Sequence, residues 1–245
     1  MKLVEAFQKI QKEPHIFTNE EIASFEFNIE DKLAAGTERE CTLAMLWISL
    51  YKTLPQKELI HDPNVVAFPG KTCALLWIIA NKTLPPKELL HDPSIKLHLG
   101  FTLAMYWIVI FNAMPPPELL HDPSIQENKG MTCAMLWIRF ANPPEPKLPK
   151  EFYHNPSITD YTGFTLAMYW INRYGIPPPK EIIHDPAYKD MKGMTCAMYW
   201  INRCLSAPPK ELLHDMSIKN NDGMTCEDIW KSKMPFPVPA EIRIH

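Results

Sequence analysis

Six histidines share one setting: His61, His91, His121, His184 and His214 each precede an aspartate, and His154 precedes Asn155. Imidazole beside a carboxylate or carboxamide is material for metal ligation or proton transfer. The histidines recur about once per repeat of helix, and stacked helices lie about 8–10 Å apart, whereas zinc binds histidine nitrogen at about 2.0–2.1 Å. Equivalent histidines therefore cannot share a metal. Each is expected to cap the carbonyls that end a helix or to hydrogen-bond the next connection. Cys73, Cys133, Cys196 and Cys226 occupy a slot that Leu43, Leu103 and Leu166 fill elsewhere, so the slot is apolar. A disulfide needs Cα atoms about 4.4–6.8 Å apart, closer than stacked helices come. With Cys41 and Cys204, and without any Cys-x-x-Cys, they read as reduced core thiols of a reducing, cytoplasmic compartment. No phosphate-cradling glycine loop, Gly-x-Ser-x-Gly elbow or pair of carboxylates set apart by spacing occurs. The expectation is a protein that is not an enzyme, with no cofactor and no metal.

The elements that position these residues are repeats. Trp stands at 47, 77, 107, 137, 170, 200 and 230, at spacings of 30, 30, 30, 33, 30 and 30, and a Thr precedes each by five residues. A fixed period between 20 and 50 residues indicates an array in which each unit buries its apolar face on its neighbours. Within a unit, Thr72 is placed to N-cap a helix whose apolar stretch runs from Ala74 to Ile78. Pro85 and Pro86 suit the start of a second, short helix with Leu89 and Leu90 facing the core, and Asp92-Pro93 ends it. A Gly two residues before six of the seven Thr, as in Asn220-Asn221-Asp222-Gly223, marks a projecting turn. Three additional residues in Pro143-Pro144-Glu145-Pro146-Lys147-Leu148-Pro149 lengthen the fourth unit and are expected to bulge outward. The 25 prolines beside 8 glycines are thus structural punctuation, since 46% of residues are hydrophobic and can fill a core.

Residues 1–36 read as an N-terminal helical cap, with Leu3, Val4, Phe7 and Ile10 on one helical face and a capping box at Thr18-Asn-Glu-Glu21. Residues 37–245 hold the seven units, and the last replaces Ala-Met-x-Trp with Glu227-Asp228-Ile229-Trp230, charges that suit an outer face in water. The succession Gly-x-Thr-x-Ala-Met-x-Trp, Pro-x-Glu-Leu-Leu and a polar turn ending in Gly resembles the ankyrin repeat, in a divergent form of the protist type. On that resemblance Thr195 matches the family Thr, Cys196 its Pro, Ala197 its Leu, Met198 its His, and Trp200 with Ile201 its Ala-Ala. Leu212 and Leu213 match the leucines of the second helix. The departures are Met for the capping His, Trp for a small Ala, and a turn about three residues shorter. The resemblance implies an all-α, ankyrin-like repeat solenoid of helix-loop-helix units with short connecting turns, built to bind a protein partner on its concave face.

Positions that agree between units are scaffold, and positions that differ are free for recognition. The Trp, Thr and Met positions agree, and the Trp row reads as a buried ladder. The residues after the turn Gly, before each Trp, and two and three past each Trp differ most. Candidate partner-binding residues are Ile79, Phe101, Tyr106, Val109, Ile110, Met131 and Phe140, apolar in the main. Phe164, Tyr169, Arg173, Tyr199 and Arg203 continue the row with aromatics and cations, residue types that anchor interfaces. With 25 Lys and Arg against 28 Asp and Glu, no broad positive field exists to hold a phosphate backbone, which excludes nucleic acid as the expected partner. No apolar run approaches the roughly 20 residues of a membrane helix, so no membrane insertion is expected. The expected role is a protein-protein interaction scaffold or adaptor; the alternative is a structural component of a multi-protein assembly such as a cytoskeletal or membrane-skeleton complex.

Overall fold

Seven times the chain runs through the same local structure, and a threonine starts it each time. In the computed structural model, which describes residues 1–141 and 146–243, the regular structure is helical, with isolated β-bridges at the turns. The repeat helices are α3 (Leu43–Tyr51), α4 (Cys73–Asn81), α5 (Leu103–Phe111), α6 (Cys133–Phe140), α7 (Leu166–Tyr174), α8 (Cys196–Cys204) and α9 (Cys226–Lys233). Before them come α1 (Leu3–Lys12) and α2 (Asn19–Ala23). The hydroxyl of each capping Thr accepts from the backbone N–H three residues on, at 3.2–3.3 Å, in all seven units. This satisfies one of the donors a helix start leaves open. Five of the helices end at a left-handed residue, Lys52, Lys82, Asn112, Gly175 or Leu205.

The segment expected as a second α-helix is a single 3-10 turn, at Lys57–Leu59, Lys87–Leu89, Pro117–Leu119, Lys150–Phe152, Lys180–Ile182, Lys210–Leu212 and Ala240–Ile242. The reason is room. After Pro86 the chain has three helical residues before Leu90 turns extended at ψ 127°, because Asp92 must already be extended ahead of Pro93. An i to i+3 bond, Leu89 N–H to Pro86 O at 2.9 Å, closes in that space where an α-helical ladder cannot. One apolar residue per turn, Leu59, Leu89, Leu119, Phe152, Ile182, Leu212 or Ile242, is buried by it.

The projecting turns are three-residue hairpin loops closed by a left-handed glycine. Asp190 N–H donates to Met194 O at 3.1 Å and Gly193 N–H to Asp190 O at 2.9 Å. Gly193 needs its φ of +72°, and a Cβ there would also sit 2.7 Å from the backbone nitrogen of Asn221 in the next turn. Consecutive turns touch because they are bonded: Tyr161 N–H donates to Lys129 O, Met191 N–H to Thr162 O and Asn221 N–H to Lys192 O, at 2.8–3.0 Å.

Contacts gather the chain into two units, Met1–Trp107 with Met114–His121, and Ile108–Ala113 with Asp122–His245. In the first, α1 lies on α3 and α3 on α4. Phe7, Ile10 and Phe17 of the cap join Leu43, Trp47 and Leu59 in one core, as the amphipathic face of α1 requires. In the second, α6 packs on α7, α7 on α8 and α8 on α9. Ala167, Met168 and Ile171, like Ala197, Met198 and Ile201, are wholly buried on these helices, and each large side chain buried contributes about 1.5–3 kcal/mol. In α9 the same three positions are Glu227, Asp228 and Lys231, and Glu227 pairs with Lys231 at 2.7 Å. The first part of the insertion in the fourth unit, residues 143–145, lies outside the described residues. No helix among the described residues is long and apolar enough to cross a membrane.

Candidate functional site

Four of the six histidines turn back to the threonine that starts their own unit. His61, His121, His154 and His214 place Nε2 2.7–2.9 Å from the hydroxyls of Thr42, Thr102, Thr132 and Thr195. In His61, His154 and His214, Nδ1 lies 2.6–2.8 Å from the backbone carbonyl of the following residue. A carbonyl only accepts, so Nδ1 carries the hydrogen and Nε2 has a lone pair; the Thr hydroxyl therefore donates to Nε2 while accepting from the helix N–H. This three-link relay ties the helix start to the end of the 3-10 turn. It meets half of the expectation, since one carbonyl beyond the turn is satisfied, and corrects the other half: the main partner is the capping threonine. Burial holds the His91 and His154 imidazoles below the usual range, and the His91 Nε2 is buried without a partner. The neighbouring aspartates have their own task. Asp92 Oδ1, for example, accepts from the backbone and hydroxyl of Ser94 at 2.8 and 2.7 Å, fixing the turn.

The thiols lie in the same layer. Cys73 Sγ is 3.7 Å from Nε2 of His61 in the preceding unit. Burial pushes Cys73, Cys196 and Cys226 up to about 12. Thiols so raised are not nucleophiles at neutral pH. None of the six cysteines is in a disulfide, and no group of three or more metal-ligating side chains occurs among the described residues.

A second buried set was not visible from spacing alone. Asp160 and Asp190 are 7% and 6% exposed, three residues before the turn glycines. Oδ1 of Asp190 accepts from the N–H groups of Lys192 and Met194, and Oδ2 accepts from the Tyr199 hydroxyl at 2.7 Å. Asp160 does the same with Thr162, Phe164 and Tyr169. Burial, then the adjoining carboxylate, drive both phenols upward. The recurrence of Asp nine residues before Tyr was the available signal.

These bonds sort the candidate partner-binding residues. Met131 is 7% exposed, so it is withdrawn from the surface; in its row, the residue after the turn glycine, Met194 is buried as well, and Lys71, Phe101, Phe164 and Met224 are half-buried. Phe101, Tyr106, Val109, Phe164, Tyr169 and Tyr199 are half-buried. Phe101 packs on Tyr106 at 5.2 Å, and Phe164 sits between Tyr169 and Tyr199 at 5.4 and 5.0 Å. With their hydroxyls bonded to Asp160 and Asp190, Tyr169 and Tyr199 brace the turns. Ile79, Ile110, Phe140, Arg173 and Arg203 are exposed, all two or three residues past a Trp. The Arg139 guanidinium covers Phe140 at 5.4 Å, and Arg203 Nε donates to Asn172 O of the preceding helix at 3.2 Å. Five of the seven tryptophans are core: Trp47, Trp137, Trp170, Trp200 and Trp230 are 3–8% exposed, whereas Trp77 and Trp107 are half-buried. Neither a protein-family model nor a curated protein matches the chain.

Proposed function

We propose that the chain is a non-enzymatic scaffold, an ankyrin-like solenoid that binds a protein partner on the surface formed by its helix ends and turns. One observation carries the reading. The residues that repeat between units (Thr, Ala, Met, Trp, His) are spent on internal bonds and packing, while the positions two and three past each Trp, exposed in the main, differ between units except for the Asn-Arg shared by the fifth and sixth. A scaffold that holds its backbone constant and varies its surface is suited to recognition. The groups that could do chemistry support it, since the relay histidines are engaged at both nitrogens and the thiols are held protonated. Six cysteines with no disulfide among them favour the cytoplasm as its place of work. The test is capture of partner by immobilised protein, comparing the native chain with Ile110→Ala/Phe140→Ala. Both side chains are exposed, at 39% and 37%, so helical circular dichroism is expected to stay unchanged while partner retention falls. Undiminished retention by the double variant would refute the surface.

A further inference from the structure

Acidic residues outnumber basic ones in this chain, 28 to 25, yet one part of every unit but the fourth excludes them. Between the second residue past each Trp and the proline that precedes the 3-10 turn, the one acidic residue is Glu145. In the second structural unit these rim segments present Arg139, Lys147, Arg173, Arg203 and Lys233, all exposed. Cations at helix C-termini answer the macrodipole, which accounts for part of this bias. It does not account for what lies between them. Phe140, Ile176, Leu205 and Phe236 occupy the same segments at 37%, 39%, 49% and 65% exposure. Leu205 is held in the left-handed region at φ 51°, in the slot where the preceding unit has Gly175. A large apolar side chain is thus displayed at a position whose backbone favours glycine.

We propose that this rim docks an acidic segment of a partner protein, one whose carboxylates alternate with large apolar side chains. The proposal rests on the scaffold reading above and names the chemistry of its partner. Successive helices in contact repeat the rim at about 8–10 Å, so an extended segment would present a carboxylate about every third residue, at roughly 3.3 Å each. Arg203 is prepared for this: its Nε–H is fixed on the Asn172 carbonyl, and a guanidinium has five donors, leaving its terminal edge for a carboxylate. Prolines 177–179, 208 and 209 stiffen the loops, reducing the ordering cost of binding.

The experiment is selection of displayed random peptides of about 12 residues, long enough to span the rim, on the full-length protein. Enriched sequences are then measured by fluorescence anisotropy against the native chain, Arg173→Glu/Arg203→Glu, and Lys180→Glu/Lys210→Glu. The last pair makes the same charge change on the 3-10 turns, and thermal melts check that all three fold. The expected result is a consensus of Asp or Glu with Leu, Ile or Phe. The rim reversal should weaken it at least about tenfold, and the control pair should have little effect. Non-acidic peptides, or peptides weakened equally by both pairs, would overturn the rim and leave the scaffold reading standing. No enrichment at all would overturn both. Vesicles with about 30% anionic lipid are tested in parallel; rim-dependent sedimentation with them in the absence of peptide binding would overturn the proposal in favour of a lipid surface.

Discussion

Ile176→Thr is expected to stabilise the protein, because Trp170 lacks what Trp47, Trp77 and Trp200 have. The indole N–H of Trp47 donates to Thr53 Oγ1, that of Trp77 to Thr83 Oγ1 and that of Trp200 to Ser206 Oγ, at 3.0–3.1 Å, always to the hydroxyl six residues on. At Trp170 the sixth residue is Ile176, and Nε1 is buried without a partner. A buried donor left open costs about 1–3 kcal/mol. Ile176 is already 39% exposed, so trimming it to Thr gives up about 1 kcal/mol of apolar burial. The balance is a gain of about 1 kcal/mol, or about 2–4 °C in melting midpoint for a chain of this size. Thermal and urea unfolding measure it. Hydrogen exchange of the Trp170 indole N–H, read by NMR, reports whether the bond has formed. An unchanged or lower midpoint with unchanged indole exchange would refute the reasoning; Thr53→Val, losing about 1–2 kcal/mol, is the converse control.

Thr195→Val removes both the helix cap and the partner of His214 Nε2, and should cost about 2–4 kcal/mol in urea unfolding, against about 1 for Thr195→Ser. A double-mutant cycle with His214→Ala should show coupling; additivity would contradict the relay. Because burial lowers the folded-state affinity of His91 and His154 for protons, the unfolded chain binds more protons just below pH 6.5. Stability is therefore full above about pH 6.5 and falls as pH drops through the histidine range. Urea midpoints at pH 7.5 and 5.5 test this, and His154→Gln should flatten the slope. Gly163→Ala meets the Asp190 Cα at 3.0 Å, whereas Gly223→Ala, at nearly the same φ, meets nothing within 4 Å. Gly163→Ala should thus lose at least about 1 kcal/mol more, and equal losses would dismiss the contact between turns. Cys73, Cys196 and Cys226 should resist iodoacetamide in the native protein at pH 8 and react on unfolding, as judged by mass spectrometry.

The period of tryptophans, the capping threonines and the turn glycines were legible because each answers a local demand: a wide apolar filler, a side-chain acceptor, a positive φ. The cap helix α1 and the capping box at Thr18 were legible for the same reason. The second helix was misread because Pro86, Glu88 and Leu89 satisfy every rule for starting a helix. Its length, however, is set by the distance to Asp92-Pro93 and by the return path. The destination of the histidines escaped because a hydrogen bond across 19 residues leaves no mark in spacing. Met131 escaped for a related reason: variation among Lys71, Phe101, Met131 and Phe164 looked like freedom of a surface. Burial in that row differs from unit to unit, complete at Met131 and partial at Lys71, Phe101 and Phe164.

The Thr–His bond closes four of the units into rings, 19 residues around in three of them and 22 in the fourth unit, where the ring has absorbed the insertion with the bond kept at 2.9 Å. The turn-to-turn bonds reach only to the next unit. A chain whose bonds all join near relatives in sequence has little loop entropy to overcome, so folding should be fast and should start in any unit whose neighbour is ready. Pulled from its ends, such a chain should yield in equal lengths of about one repeat. The fourth unit should release a slightly longer one, a difference that would identify it within the force trace.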